Sequence, residues 1–171
     1  MTHTLPIALT WDGQPARPDE RVELRIEVAG GCLWIHVDAP FHGDPAPTAP
    51  PGPTPALWEH EVVELFVLGA DQRYTEIELG PHGHHLVLQL AGTRNIVAEH
   101  LPIDFQARIH GDRWRGAANL PLELLPLGPH RLNATAIHGV GAERRYLSWV
   151  ALPAEKPDFH QLHRFLNIEL F

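Results

Sequence analysis

Seventeen of the 171 residues are proline, and they are scattered along the whole chain. Proline locks φ, removes a backbone donor and disrupts helix interiors and central strands alike. At about twice the usual frequency of roughly 5%, it excludes long helices and leaves short strands joined by turns. The stretches between prolines alternate as strands do. Val22–Val28 sets Val22, Leu24, Ile26 and Val28 against Glu23, Arg25 and Glu27. Gly30-Gly31 supplies a turn, and Cys32–Asp38 alternates again, which predicts a hairpin. Glu61–Leu68 is apolar on both faces and reads as a central strand of a two-layer structure. Tyr74–Leu79, His85–Leu90, Phe105–His110, Arg113–Leu120, Asn133–His138 and Arg145–Val150 continue the set, with Phe165–Phe171 as a last strand. Pro121–Leu125 has room for one helical turn, the only helix the pattern supports.

The expected fold is therefore all-β: a two-layer antiparallel β-sandwich of jelly-roll type. No composition shift divides the chain, so residues 1–171 read as one domain. That length suits a core burying roughly 70% of the unfolded surface. The irregular stretch 39–55, rich in proline and glycine, is long for a compact domain and reads as a functional or disordered loop.

Charge narrows the partners. Thirteen basic residues against twenty-one acidic give a formal charge of −8, which opposes binding to nucleic acid by counterion release. No stretch approaches the ~18 apolar residues of a membrane span, and no basic leader opens the chain. The single cysteine, Cys32, rules out an internal disulfide framework, so a reduced cytoplasm is the expected compartment. Lys156 is the only lysine, a usage that suggests a GC-rich bacterial genome.

Four acids lie on strands expected to be neighbours: Glu61, Glu64, Glu76 and Glu78. Gathered carboxylates coordinate calcium or accept hydrogen bonds from sugar hydroxyls. Glu76 and Glu78 read as the solvated positions of a half-exposed strand, whereas Glu64 sits in an apolar run and needs a partner or a site role. His82, His84 and His85 invite a metal reading, but adjacent strand residues point to opposite faces and no cysteine completes a set. His138 and His160 read as hydrogen-bonded core histidines. Among five tryptophans, Trp34, Trp114 and Trp149 suit the core, while Trp58 stands between the proline-rich loop and the acids, where a ring can stack on a ligand. No nucleophile elbow, P-loop, dinucleotide or zinc-protease motif is present.

The runs Leu57–Phe66 and Tyr74–Gly83, with Thr10–Gly13, Ala39–Phe41, Arg94-Asn95, Ala136–Gly139 and Lys156–His160, resemble an uncharacterised family of small bacterial and animal proteins. That family is known in vertebrates as an open-reading-frame product. More distantly, the Leu-Trp…Val-Glu-Leu-Phe pattern, with Asn133 and Tyr146–Trp149, is similar to family-nine carbohydrate-binding modules and the DOMON-like superfamily. The resemblance implies a β-sandwich with a ligand pocket on or beside a sheet. It matches Trp58 to an aromatic clamp, Glu64 to the acid on the following strand, Arg94 and Asn95 to polar pocket contacts, and Asn133 to a late-strand amide.

The candidate ligand-binding set is thus Trp58, Glu64, Glu76, Glu78, His82, Arg94, Asn95, Asn133 and His138. No catalytic residue or metal ligand is assigned, and no cofactor is called for, although calcium would suit the acidic face. The expected function is non-catalytic binding of a carbohydrate or similar small polar ligand. One alternative is a small enzyme using Glu64 with His82 or His138 as acid and base. A second is a protein-interaction module presenting a sheet edge or the proline-rich loop. Haem binding, a third, would rely on histidine alone, because Met1 is the only methionine.

Overall fold

Thirteen strands follow one another in the computed structural model, which describes residues 1–171. They are β1 (Thr2–Ile7), β2 (Leu9–Thr10), β3 (Val22–Ala29), β4 (Cys32–Pro40), β5 (Val62–Leu68), β6 (Arg73–Leu79), β7 (His85–Ala91), β8 (Ile96–Ala98), β9 (Asp104–His110), β10 (Arg113–Pro121), β11 (His130–His138), β12 (Arg145–Ser148) and β13 (Leu166–Ile168). The smaller sheet has five strands in the order β1-β3-β4-β10-β9. The larger has eight, ordered β2-β12-β11-β5-β6-β7-β8, with β13 also on β11. Every strand pairing is antiparallel. Helix is confined to single 3-10 turns: the expected one, at Leu122–Leu124, and four others. None is long and apolar enough to cross a membrane.

Two cores hold this together. Between the sheets lies a cluster of 25 buried residues, including Leu24, Ile26 and Ile35 from one side and Leu65, Val67 and Ile77 from the other. The register explains it: Leu24 faces Val37 and Ile26 faces Ile35, so one face of the β3–β4 hairpin is wholly apolar. Trp114 joins this core, and Trp149 packs partly against it. Trp34 does not, because it alternates with the inward Leu33 and Ile35 and lies half-buried on the outer face of the smaller sheet.

The second core, of 13 buried residues, covers the other face of the larger sheet. Phe66 and Leu68 of β5, Tyr74 of β6 and Leu86, Leu88 and Leu90 of β7 form its floor. Its cover is irregular chain: Leu57 on one side, and Leu152, Phe159, Leu162 and Phe165 from the C-terminal segment on the other. Each such side chain removed from water contributes about 1.5–3 kcal/mol, enough to order a segment without regular structure.

The proline-rich loop is fixed as well. Thr54 N–H donates to the His85 carbonyl at 2.9 Å and His85 N–H to the Gly52 carbonyl at 3.0 Å, laying the loop beside β7. Glu61 accepts from the His42 and Asp44 backbone N–H groups at 2.9 and 3.3 Å. Asp44 in turn accepts from Gly139 N–H at 2.6 Å. Backbone donors that lack a sheet partner are thus satisfied by acids.

Glu20, buried just before β3, ties the two sheets. Its carboxylate accepts from Arg145 Nε and Nη2 at 2.7 and 2.9 Å, from Arg17 N–H at 3.0 Å, and contacts His138 Nε2 at 3.1 Å. Burial alone would raise its pKa, but these partners hold it down at about 2. A depressed carboxyl contributes stability that is complete above its ordinary value of 4.5 and lost as pH falls from there toward 2. Over that interval the wild-type Tm should fall more steeply than that of Glu20→Gln, and parallel melting curves would show that the clamp contributes nothing. At the β11–β12 turn, Gly139 has φ 82° and a Cβ there would stand 2.4 Å from the Glu143 carbonyl oxygen. Gly139→Ala should therefore lose about 2 kcal/mol in urea denaturation; an unchanged midpoint would contradict the turn geometry.

Candidate functional site

The cover over the larger sheet is incomplete, and the gap is a pocket of about 280 Å³. Its floor is strand: Glu64 and Phe66 of β5, Glu76 of β6, and Leu88 and Leu90 of β7. Its walls are Trp58, Ile137 and Tyr146 together with Arg94, Ile96, Pro157, Phe159 and His160, with Phe159 edge-on to Tyr146 at 6.1 Å between ring centres. A second depression of about 360 Å³ adjoins it and shares Trp58, Ile137 and Tyr146, so the aromatic wall serves a longer groove. The widest depression, about 820 Å³, lies elsewhere, over the outer face of the smaller sheet. Only two of its thirteen lining residues are hydrophobic, and Asp38 already binds Arg113 and Arg115 there. Eight of thirteen are hydrophobic in the pocket over the larger sheet, the mixture that small-ligand sites show.

Local folding explains the aromatic wall. The 3-10 turn Leu57–Glu59 is entered through Ala56 at φ 54°. It plugs Leu57 into the second core and leaves Trp58 41% exposed. Arg144 holds this platform, donating to the Trp58 carbonyl and, at 3.1 Å, to the Gly139 carbonyl. The same guanidinium sits 5.8 Å from the centre of the Tyr146 ring, a cation–π distance.

The rim at Arg94 is a hydrogen-bonded chain. Arg94 N–H donates to the Tyr74 hydroxyl at 3.0 Å, and that hydroxyl shares a 2.7 Å bond with His160 Nδ1. Burial first, and the Arg94 charge second, push the His160 pKa down to about 4. The ring is therefore neutral at pH 7, and because the Tyr74 hydroxyl already accepts from Arg94 N–H, its own hydrogen is available to point at Nδ1. Asp158 closes the chain, accepting from Arg94 Nη2 at 2.7 Å and His160 N–H at 3.0 Å.

The floor carries the unusual electrostatics. Register places Thr135, Glu64 and Glu78 in one row across β11, β5 and β6, and Asn133, Phe66 and Glu76 in the next. Glu64, Glu76 and Glu78 are 2%, 4% and 0% exposed. Burial pushes Glu64 up to about 7, although the Thr135 hydroxyl and the Arg144 charge pull the other way. Glu76 is driven well above the carboxylate range by burial and by the charge of Glu64, and Glu78 by burial and by the charges of Glu64 and Glu76. The Trp58 backbone N–H faces Glu78 and offsets this a little, without reaching hydrogen-bond geometry.

The structure thus corrects the reading of Glu76 and Glu78 as solvated. They point outward from the sandwich, as the alternation requires, but the outer face is itself covered. Of the nine candidate residues, Trp58, Glu64, Glu76 and Arg94 line the pocket, and Glu78 lies beside Glu64 in register. The other four do not. Asn133 is wholly buried and spends its amide on Ser148 Oγ and Val150 N–H. Asn95 is exposed and caps the Ala91 carbonyl at 3.1 Å. His138 stacks on His42 with ring centres 3.6 Å apart and contacts Glu20. His82 lines a narrow cleft beneath the proline-rich loop with Glu61 and His84. His84 is engaged with the Ala49 carbonyl at 2.8 Å, so the histidine cluster does not converge. Glu64 therefore shares no cavity with His82 or His138, the bases considered for an enzyme. Tyr146, Phe159 and His160 are pocket residues that the binding set omitted, although two of the family-like motifs contain them.

No family model matches the chain. In fold, it is similar to a candidate carbohydrate-binding protein from Bacteroides uniformis, with TM-score 0.76, 18% identity, and coverage of 96% of this chain and 84% of that one. It is also similar to a family 9 carbohydrate-binding module from Caldicellulosiruptor kristjanssonii in complex with glucose, with TM-score 0.56, 10% identity and coverage of 80% and 70%. The same module in complex with cellotriose gives TM-score 0.56 at 9% identity, covering 80% and 69%. In sequence, the chain is 41% identical over 170 residues to the UPF0462 protein C4orf33 homolog of Danio rerio, covering 94% of this chain and 86% of that protein. The human UPF0462 protein C4orf33 is 39% identical over 165 residues, covering 91% and 82%. The sequence relatives are vertebrate, and the link to bacterial proteins is one of structure. With such identity sustained over nearly its whole length, the chain belongs to the UPF0462 (C4orf33) family.

Proposed function

We propose that this protein is a non-catalytic binding domain for a neutral saccharide or similar polyhydroxylated ligand. One observation carries the reading: a pocket whose exposed tryptophan, Trp58, stands over two buried carboxylates, Glu64 and Glu76. A sugar ring offers both kinds of surface that such a pocket rewards. Its C–H face stacks on an aromatic plane, and its hydroxyls donate to carboxylates that have only the Thr135 hydroxyl, on Glu64, as another donor. The acid-rich floor opposes anionic ligands. The groove shared with the adjoining depression has room for more than one ring, and the fold neighbour in complex with glucose and with cellotriose supports that ligand class. Catalysis has no comparable support, because the histidines considered as partners for Glu64 face other cavities. The lone half-buried Cys32 suits a reducing compartment such as the cytoplasm.

Titration calorimetry with glucose, cellotriose and a broader panel of sugars tests this. Trp58→Ala should cost about 2 kcal/mol of binding, roughly a 30-fold rise in Kd. The free variant should melt close to wild type, because the ring lies largely outside the core. Affinity for a bound sugar that is the same in wild type and Trp58→Ala would overturn the assignment.

A further inference from the structure

Three acids at the floor of the pocket have no counter-charge. Glu64, Glu76 and Glu78 are each more than nine-tenths buried, and none forms an ion pair. One oxygen from each lies within 4.8 Å of the others. Beyond the bond from Thr135 to Glu64, the set is short of donors. Both oxygens of Glu78 and Oε2 of Glu76 are buried with no hydrogen-bond partner. The nearest arginines are committed elsewhere, Arg144 to two backbone carbonyls and Arg94 to Asp158.

Buried carboxylates of like sign oppose one another and cannot remain uncompensated. Every other buried acid in the chain is provided for: Glu20 by Arg145, and Glu61 by backbone N–H groups. Here the missing partner must be a cation or protons. The donor set selects among cations. It is all oxygen, with neither nitrogen nor sulfur, which disfavours zinc and suits a hard divalent ion. Calcium–oxygen distances of about 2.3–2.6 Å let two ligands sit up to about 5 Å apart across the ion, and the 4.8 Å limit falls within that span. Magnesium, at about 2.0–2.1 Å with strict octahedral demands, needs a tighter cage.

We propose that Glu64, Glu76 and Glu78 form a binding site for a hard divalent cation of calcium type at the floor of the pocket. The site deepens the saccharide reading and rests on it in one respect. Because Glu64 and Glu76 face the cavity, the ion's remaining positions open into it and are filled by ligand hydroxyls. Glu78, beneath them, anchors the ion from the sheet.

The test begins without sugar. Chelator-treated full-length protein is titrated with calcium chloride by calorimetry, with magnesium and manganese chlorides in parallel, and melting is followed in the same buffers. The expected result is saturable binding of one calcium per chain and a Tm that rises with its concentration. Glu78→Gln should weaken calcium by about tenfold or more. In chelator the same variant should melt at or above wild type, because a neutral amide needs neither cation nor proton, whereas replacing a merely structural glutamate would lower the Tm. Glu76→Gln repeats the measurement should Glu78→Gln fail to fold. Absence of heat and of any Tm shift with all three ions in wild type would overturn the site, and so would calcium affinity unchanged in both variants. Neither result bears on sugar binding through Trp58, which is measured separately. Sugar affinity that falls about tenfold in chelator and returns with calcium supports hydroxyl ligation, and affinity indifferent to chelator overturns that part.

Discussion

Strands β5, β6 and β7 are buried on both faces, and a sheet in that condition must be covered twice. One face meets the smaller sheet, and alternation there accounts for the 25-residue core. The other meets no sheet. It is closed by whatever chain can reach it, namely the turn at Leu57 and the segment bearing Leu152, Phe159, Leu162 and Phe165. Everything of functional interest follows from that arrangement. Irregular chain covers a flat surface imperfectly, and the uncovered remainder is the pocket.

The acids show how one residue type is handled by different surroundings. Glu20 is buried yet ionised, because a bidentate arginine and a backbone donor meet it. Glu61 is buried against loop N–H groups and gains order for the loop in return. Glu64, Glu76 and Glu78 lie among aliphatic and aromatic side chains with one hydroxyl between them. A structure that compensates its acids so thoroughly elsewhere leaves these three without an ion pair, two of them facing a cavity, and this contrast marks the site more firmly than the number of acids does.

Much of the fold was legible in the sequence, because half-buried strands print their period directly. The β3–β4 hairpin and the two-faced character of β5 were both readable. Strand β1 was not. Its Pro6 argues against a strand, and it is tolerated because β1 lies at a sheet edge. The site was only half legible, for a related reason. Trp58 and Glu64 belong to a turn and a strand with a local signature, and Arg94 was reached only through the family-like motif. Phe159 and His160 lie in a segment with no period, and His160 meets Tyr74 across 86 residues of sequence. Alternation correctly placed Glu76 and Glu78 on the outward face, but no local pattern reveals that an outward face is covered.

The two banks of the pocket are fastened unequally. The Trp58 bank is held by Arg144 through two backbone carbonyls, while the other is anchored in the second core by Phe159, Leu162 and Phe165 and only its lip, the contact between Arg94 and Asp158, is surface-borne, with side chains 59% and 37% exposed. Exposed ion pairs contribute only about 0.2–1 kcal/mol and weaken with salt. Salt can therefore loosen that lip while the buried side chains beneath it stay in place. The edge that a guest meets there responds to ionic strength through this one pair, even when the guest carries no charge.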